Sequence, residues 1–190
     1  EAVLVEEDIY ELRGRLRGQG GSDWTMPAEW PVGATVVFLD GAVTPLSLPL
    51  SARGLERHYR IGPASEPIDD DTYEHVTVTT YGVGLRPYAP AHLNARADGG
   101  DYTVDWVRRT RVDGDSWEGV EVPLGEDVES YVLRIIDGGA VKREAVLGSA
   151  GWTYTAAMQA ADGVSAPFDV AVAQVSQSFG PGPFARVTVA

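Results

Sequence analysis

The residues best placed to do chemistry lie in one turn. Asp113, Asp115 and Glu118 surround Trp117 in DGDSWEG. Two carboxylates on either side of a glycosidic bond can serve as acid and as base or nucleophile, and a tryptophan beside them is a stacking floor for a sugar ring. The same three carboxylates offer oxygens to calcium but fall short of the six or more that ion takes. A simpler reading makes them structural. Asp113 and Asp115 then form the turn around Gly114, Trp117 anchors the loop on the body of the fold, and Glu118 pairs with Arg109 or Arg111. Asp69-Asp70-Asp71 is the densest acidic run, but its carboxylates are contiguous and no glycine follows within it. That suits a solvated turn better than a cation loop. His58, His75 and His92 are scattered and show no ligand spacing. With no Gly-x-Ser-x-Gly elbow there is no sign of a Ser–His–carboxylate triad, and RGQGGSD at 17–23 lacks the Lys-Ser/Thr that completes a phosphate loop. We therefore expect no catalytic, cofactor-binding or metal-ligating residue. The remaining candidates are aromatic. Trp24, Trp30 and Trp117 either cover a sheet or offer an indole platform to a sugar or a protein partner.

Bulk composition narrows the classes further. The chain has 190 residues and is 44% hydrophobic, enough for a real core in one or two domains. It contains no cysteine, which excludes disulfides, thiolate chemistry, iron–sulfur clusters and cysteine zinc sites. Its formal net charge is −13, and Lys142 is its one lysine. Such a surface repels nucleic acid, whose affinity depends on neutralising phosphates. No apolar run approaches the length of a membrane helix, and the start does not read as a signal peptide. EAVLVEEDIY reads as mid-domain sequence, the expectation for a piece of a longer chain.

The elements that must position these residues are strands. In DIYELRGRLR, Tyr10, Leu12 and Leu16 alternate with charged residues, a period of two with one wet face. GATVVFL at 33–39 predicts a short strand buried on both sides, and Asp40-Gly41 predicts a hairpin turn into a run broken by Pro45 and Pro49. HYRI at 58–61 and HVTVTTY at 75–81 predict two further strands. YGVGLRPYAP is the natural joint, since Pro87 and Pro90 disfavour helix around them. Beyond it, strands are expected at 91–96, 102–106, 130–136, 140–147, 151–155, 168–175 and 184–189. Asp98-Gly99-Gly100 and Asp137-Gly138-Gly139 mark turns, and AAMQAADG is a short helical stretch ending at Gly163. Within DYTVDWVRR, Tyr102, Val104 and Trp106 share a face, which makes Trp106 a core residue. Arg109 and Arg111 share the other face with Asp105, which predicts a cross-strand ladder of ion pairs. Seven short strands with a turn signal every 8–14 residues are what a β-sandwich requires. The expected fold is all-β: a small β domain over 1–86, then a seven-stranded sandwich over 87–190.

The second part resembles a fibronectin type III domain. The likeness rests on the Pro-rich YAPAHLNA, the tryptophan in DYTVDWVRR, the apolar YVLRII, and the long strand running into a Gly-Pro loop in FDVAVAQVSQSFGPGPFA. Phe168 stands where that family usually has a tyrosine, and the Trp117 loop is longer than usual. Almost the whole chain, through ELRGRLRGQGGSDW, GVGLRPYAPAHL, WVRRTRVDGDSWEGVEVPLGE and VAQVSQSFGPGPFARV, is similar to the C-terminal end of the baseplate hub proteins of bacterial gene transfer agents. These are also called megatron or host specificity proteins, and they are similar to siphophage tail-tip proteins. The resemblance implies a far longer parent chain with a TIM-barrel-like part upstream. It also implies a homotrimer around the tail axis, contacts with other tail and baseplate subunits, and a place at the particle tip after synthesis in the bacterial cytoplasm. The expected function is then structural: rigid domains that position the tip and contact the recipient cell surface, through a receptor or glycan. The alternative is a carbohydrate-binding module that reads surface polysaccharide through Trp24, Trp30 and Trp117.

Overall fold

The computed structural model describes residues 2–14, 26–37, 41, 44, 46–114 and 122–190. Among the described residues the chain is all-β apart from one short helix and two single 3-10 turns, and it divides into two compact units, Glu1–Gly84 and Leu85–Ala190.

The first unit holds two separate antiparallel hairpins. β1 (Ala2–Glu6) pairs with β2 (Ile9–Leu12) through a turn at Glu7-Asp8, where Asp8 takes a left-handed φ of 59°. Sequence alternation carries the second strand on to Leu16, but the described ladder ends at the pair Ala2–Leu12; Leu16 lies outside the described residues. β3 (Glu56–Ile61) pairs with β4 (Glu74–Thr79), the two strands expected from HYRI and HVTVTTY. Alternation splits this hairpin by chemistry. Glu56, His58, Arg60, His75, Thr77 and Thr79 fall on one face; Tyr59, Ile61, Val76 and Val78 fall on the other, flanked by Arg57 and Glu74. Over its described part, residues 33–37, the expected strand at 33–39 does not form. Ala34–Val37 belong to no ladder, and Val36 and Val37 are 58% and 67% exposed rather than buried. β-branched residues favour a pleated surface only where a second strand supplies one, and none lies beside this run among the described residues. Phe38–Asp40 lie outside the described residues, so the Asp40-Gly41 hairpin does too. Ala52 is the one buried hydrophobic residue of this unit among those described.

The second unit is a seven-stranded sandwich of a three-stranded and a four-stranded sheet. β5 (Ala91–Asp98), β6 (Asp101–Val107) and β9 (Gly151–Tyr154) form one sheet in the order β5-β6-β9. β7 (Tyr131–Asp137), β8 (Ala140–Leu147), β10 (Phe168–Ser176) and β12 (Ala185–Val189) form the other, with a two-residue β11 (Gly180–Pro181) beyond β12 on the same edge of β10. All seven strands expected from the pattern are present. Gly138 and Gly139, with φ of 57° and 79°, make the two-residue turn joining β7 to β8, a turn that needs positive φ at both centres.

Inward side chains of the two sheets meet in one core. Val104, Trp106 and Tyr154 come from the first sheet; Tyr131, Leu133, Ile135, Phe168, Val170, Val172 and Val189 come from the second. Trp106 is 5% exposed and meets the Tyr131 ring edge-on at 5.1 Å between centroids. Phe168 meets Tyr102 and Tyr154 in the same way at 5.2 and 5.7 Å. Such edge-to-face pairs add about 0.5–1.5 kcal/mol each beyond burial. β10 is buried on its outer face as well, where Ala171 sits in register between Arg134 and Arg186. Long arginine stems can cover a methyl group while their heads stay wet. The helix α1 (Ala156–Asp162) is capped by Thr155, whose Oγ1 accepts from the Met158 amide, and ends at Gly163 with φ 65°.

Candidate functional site

The inward stripe of β10 reads Phe168, Val170, Val172, Gln174, Ser176, so the core ends in two buried polar residues. Both are satisfied, and both hold loops. Gln174 Oε1 accepts from the Arg109 amide at 2.6 Å, and its Nε2 donates to the Arg109 carbonyl at 2.7 Å. The amide side chain thus takes the place of a strand partner just where β6 has ended. Ser176 Oγ accepts from the amides of Ser178 and Phe179, which turns the chain into the 177–184 loop. The Gly182 amide donates to the Gln174 carbonyl at 2.9 Å, and a Cβ at Gly182 would lie 2.5 Å from the Pro87 oxygen. Three connections therefore gather at one end of the sandwich: β6 to β7, β8 to β9, and β10 to β12.

The β6–β7 connection is the long one, and its two limbs are stapled together. Arg108 donates to the carbonyls of Pro123 and Val122 at 2.8 and 2.7 Å. Arg111 Nε donates to Glu126 Oε1 at 3.0 Å, in a pair whose side chains are 21% and 12% exposed. Thr110 Oγ1 accepts from the Val112 amide and donates to the Val112 carbonyl, closing a tight bend. Asp113 and Gly125 take left-handed φ values of 49° and 68°, one on each limb. The Arg109 guanidinium lies over the Tyr88 ring at 4.7 Å. At the far limb the Tyr131 hydroxyl donates to Glu129 at 2.8 Å; burial first, and then that acceptor, push its pKa up. The crevice between the limbs and β10, lined by Arg108, Glu126, Tyr131 and Gln174, holds about 10 Å³, room for one water at most.

The arginines therefore depart from expectation. Asp105 pairs with Arg96 on β5 at 2.6 Å, not with Arg109 or Arg111. The strand ends at Val107, so face alternation does not continue and no ladder forms. Asp113 is a turn residue, as the simpler reading had it. Asp115, Trp117 and Glu118 lie outside the described residues, so the carboxylate pair and any Glu118 partner do too. Trp24 likewise lies outside them. Trp30 is described and is 59% exposed.

The acidic run is a solvated turn. Asp70 Oδ1 accepts from the Thr72 amide and hydroxyl at 2.9 and 2.7 Å, bonds that hold its pKa below the ordinary carboxylate value. Among the described residues, no three His, Asp or Glu side chains converge as a metal site. The histidines are less scattered than their spacing suggests. The β3–β4 ladder brings His58 Nδ1 to 3.0 Å from His75 Nε2. His92 belongs to the second unit, in a bulge near the start of β5 with φ 52°.

A second polar cluster closes the other end of the sandwich. Arg143 donates to both oxygens of Asp162 at 2.7 and 2.8 Å, and the Tyr154 hydroxyl donates to Asp162 at 2.8 Å. Arg143 above all, with Tyr154, holds the Asp162 pKa below its ordinary value against the opposing effect of desolvation. Burial and the Asp162 acceptor push the Tyr154 pKa up. This cluster ties α1 to β8 and β9. The Tyr154 hydroxyl thus fixes this corner through Asp162. Sequence reading missed Gln174 and this cluster alike; in each, the only local signal is a polar residue inside an apolar stripe or a short helix.

By fold, then, this is an all-β protein whose sandwich has a braced loop end. A family described as "Rcc01698-like, C-terminal" matches residues 1–37. No curated protein matches the chain. Similar solved structures include a fibronectin type III variant, "Structure of FN3tt mut", with 14% identity over 54% of this chain and 93% of that one, at a TM-score of 0.37. The spore cortex lytic enzyme SleM of Clostridium perfringens is 11% identical over 54% of this chain and 28% of its own, at 0.36. Domains d3–d4 of the rat CD45 extracellular region are 10% identical over 100% of this chain and 94% of theirs, at 0.37. At these identities and scores the solved structures add nothing to the strand order described above.

Proposed function

We propose that the chain is a structural and interaction part of a phage-like tail tip, of the kind formed by gene transfer agent baseplate hub proteins. The observation that carries this reading is the Rcc01698-like match over residues 1–37, Rcc01698 being a gene-transfer-agent-associated protein. The phrases shared across the rest of the chain support it, as does a sandwich whose loop end is built for presentation. In this reading the role is positional, not catalytic. The partners are other tail and baseplate subunits in a homotrimeric assembly, and the loop end meets either those subunits or a receptor or glycan on the recipient cell. The chain sits at the tip of the released particle. The described limbs of this loop, stapled by Arg108, Arg111 and Gln174, need little ordering on binding, which lowers the cost of association.

The test is size-resolved light scattering of the purified chain, alone and with solubilised recipient-cell envelope, beside a pull-down with disassembled particle tails. Envelope association supports a contacting tip, and tail association alone supports a docking module. A chain that binds neither overturns the proposal.

Trp30 favours a second reading. An indole 59% exposed is a ready stacking surface, so the chain can act as a carbohydrate-binding module. Tryptophan fluorescence titrated with capsule and lipopolysaccharide fragments decides it: a saturable change lost in Trp30→Ala supports sugar binding, and a flat titration rejects it.

A further inference from the structure

We propose that His58 and His75 form a two-imidazole surface site for a divalent transition metal ion of the nickel or copper type, chelated across the β3–β4 ladder. The two residues come from different strands on the polar face of the hairpin, and both are exposed. Their facing nitrogens, His58 Nδ1 and His75 Nε2, are 3.0 Å apart, and their rings are 15° from parallel with centroids 5.1 Å apart. Two imidazole nitrogens in neighbouring positions of a tetragonal or octahedral ion, each bonded at roughly 2.0–2.1 Å, stand about 2.9 Å apart; a tetrahedral ion sets them at about 3.3 Å. The backbone thus delivers the nitrogens at the spacing of the square geometry that copper(II) and nickel(II) favour.

Protonation fits as well. Glu56 Oε1 lies 3.6 Å from His58 Nε2, and a carboxylate on that side favours the proton on Nε2, leaving the Nδ1 lone pair toward His75. Without metal, His75 Nε2–H donates to that lone pair. On binding, the metal takes the place of the shared proton, and His75 carries its own proton on Nδ1 instead. Thr77 Oγ1, 3.4 Å from His58 Nδ1, adds a nearby oxygen. Arg60 is the opposing charge on this face, in register with His75. No third His, Asp or Glu converges among the described residues, so water completes the coordination sphere.

The experiment is a Ni²⁺ titration of the intact chain at pH 7.5, followed by calorimetry and by the side-chain NMR signals of its three histidines. The proposal expects one equivalent to bind, with the ring protons of His58 and His75 shifting or broadening together and those of His92 unmoved. His58→Gln and His75→Gln should each abolish the saturable phase, while His92→Gln retains it. Backbone amide spectra of the two variants show whether the hairpin remains folded, which an exposed substitution should allow. No saturable binding, or binding that survives in either His58→Gln or His75→Gln, overturns the site.

Discussion

Gln174 is the residue whose replacement most directly tests how the loop end is held. Gln174→Leu keeps the side-chain volume close to constant, so no large cavity opens and the change falls on two hydrogen bonds. Gln174 is 7% exposed, and the bonds to the Arg109 amide and carbonyl are 2.6 and 2.7 Å long. Each net bond contributes about 0.5–1.5 kcal/mol, which gives about 1–3 kcal/mol for the pair. Arg109 lies at the surface, so water can reach its freed backbone groups, and the expected loss falls in the lower part of that range. For a domain of this size such a loss lowers Tm by several degrees. The local effect is more diagnostic than the global one. Arg108, Arg109 and Arg111 are trypsin sites on the limb that Gln174 holds, whereas Arg134 lies mid-strand in β7. Trypsin digestion followed by mass spectrometry should show cleavage after Arg108–Arg111 rising well beyond cleavage after Arg134. Unchanged cleavage at the loop arginines, together with an unchanged melt, would refute the idea that this side chain stands in for a missing strand.

Other perturbations probe the rest of the frame. Trp106→Ala removes a 5%-exposed indole from the core and should cost about 3–5 kcal/mol, read by chemical denaturation. Gly182→Ala sets a Cβ 2.5 Å from the Pro87 oxygen and should cost about 1–3 kcal/mol by overpacking, with altered amide shifts at 87–88 and 180–182 in NMR spectra. Asp162→Asn leaves Arg143 and Tyr154 without their shared carboxylate and should cost about 1–2 kcal/mol at neutral pH. The acid limb of the stability profile carries the sign. Because the folded pKa of Asp162 lies below its ordinary value of 3.8, its contribution is complete above that value and is lost as pH falls through the folded pKa. Denaturant melts from pH 6 down to pH 2 should therefore show wild type and Asp162→Asn converging in acid; curves that stay parallel would mean the carboxylate adds no stability.

The sandwich was legible because its local signals agree. Tyr102, Val104 and Trp106 alternate, the Asp137-Gly138-Gly139 turn marks a hairpin, and Gly163 ends the short helical stretch AAMQAADG. What stayed hidden depends on distant partners. Gln174 meets Arg109 across 65 residues of chain, and nothing local distinguishes it from the polar end of any strand. Arg111 faces Glu126 and not Asp105 because β6 stops at Val107, and an arginine run cannot announce where its strand ends. Histidines 17 residues apart read as scattered until the β3–β4 register places them side by side.

The first unit shows why the same rules fail when a partner is lacking. GATVVFL has a better β composition than ERHYRI, yet Ala34–Val37 stay outside any ladder while Glu56–Ile61 form one. β propensity measures how well a side chain fits a half-buried pleated surface, so it acts only after a second strand has created that surface. β3 obtains one from β4, and the apolar face of that hairpin still leaves Ile61 and Val78 exposed. Two-stranded ribbons of this kind are marginal in water unless a third strand or another layer covers them. In the sandwich, each sheet's buried face is the other sheet's cover, and the residues left over at its end, Gln174 and Ser176, become anchors for loops. The division of labour follows from that difference. The second unit can hold the stapled limbs of its long loop because its core is closed, while the first unit presents exposed apolar and aromatic side chains such as Ile61, Val78, Trp30 and Tyr10 at its surface.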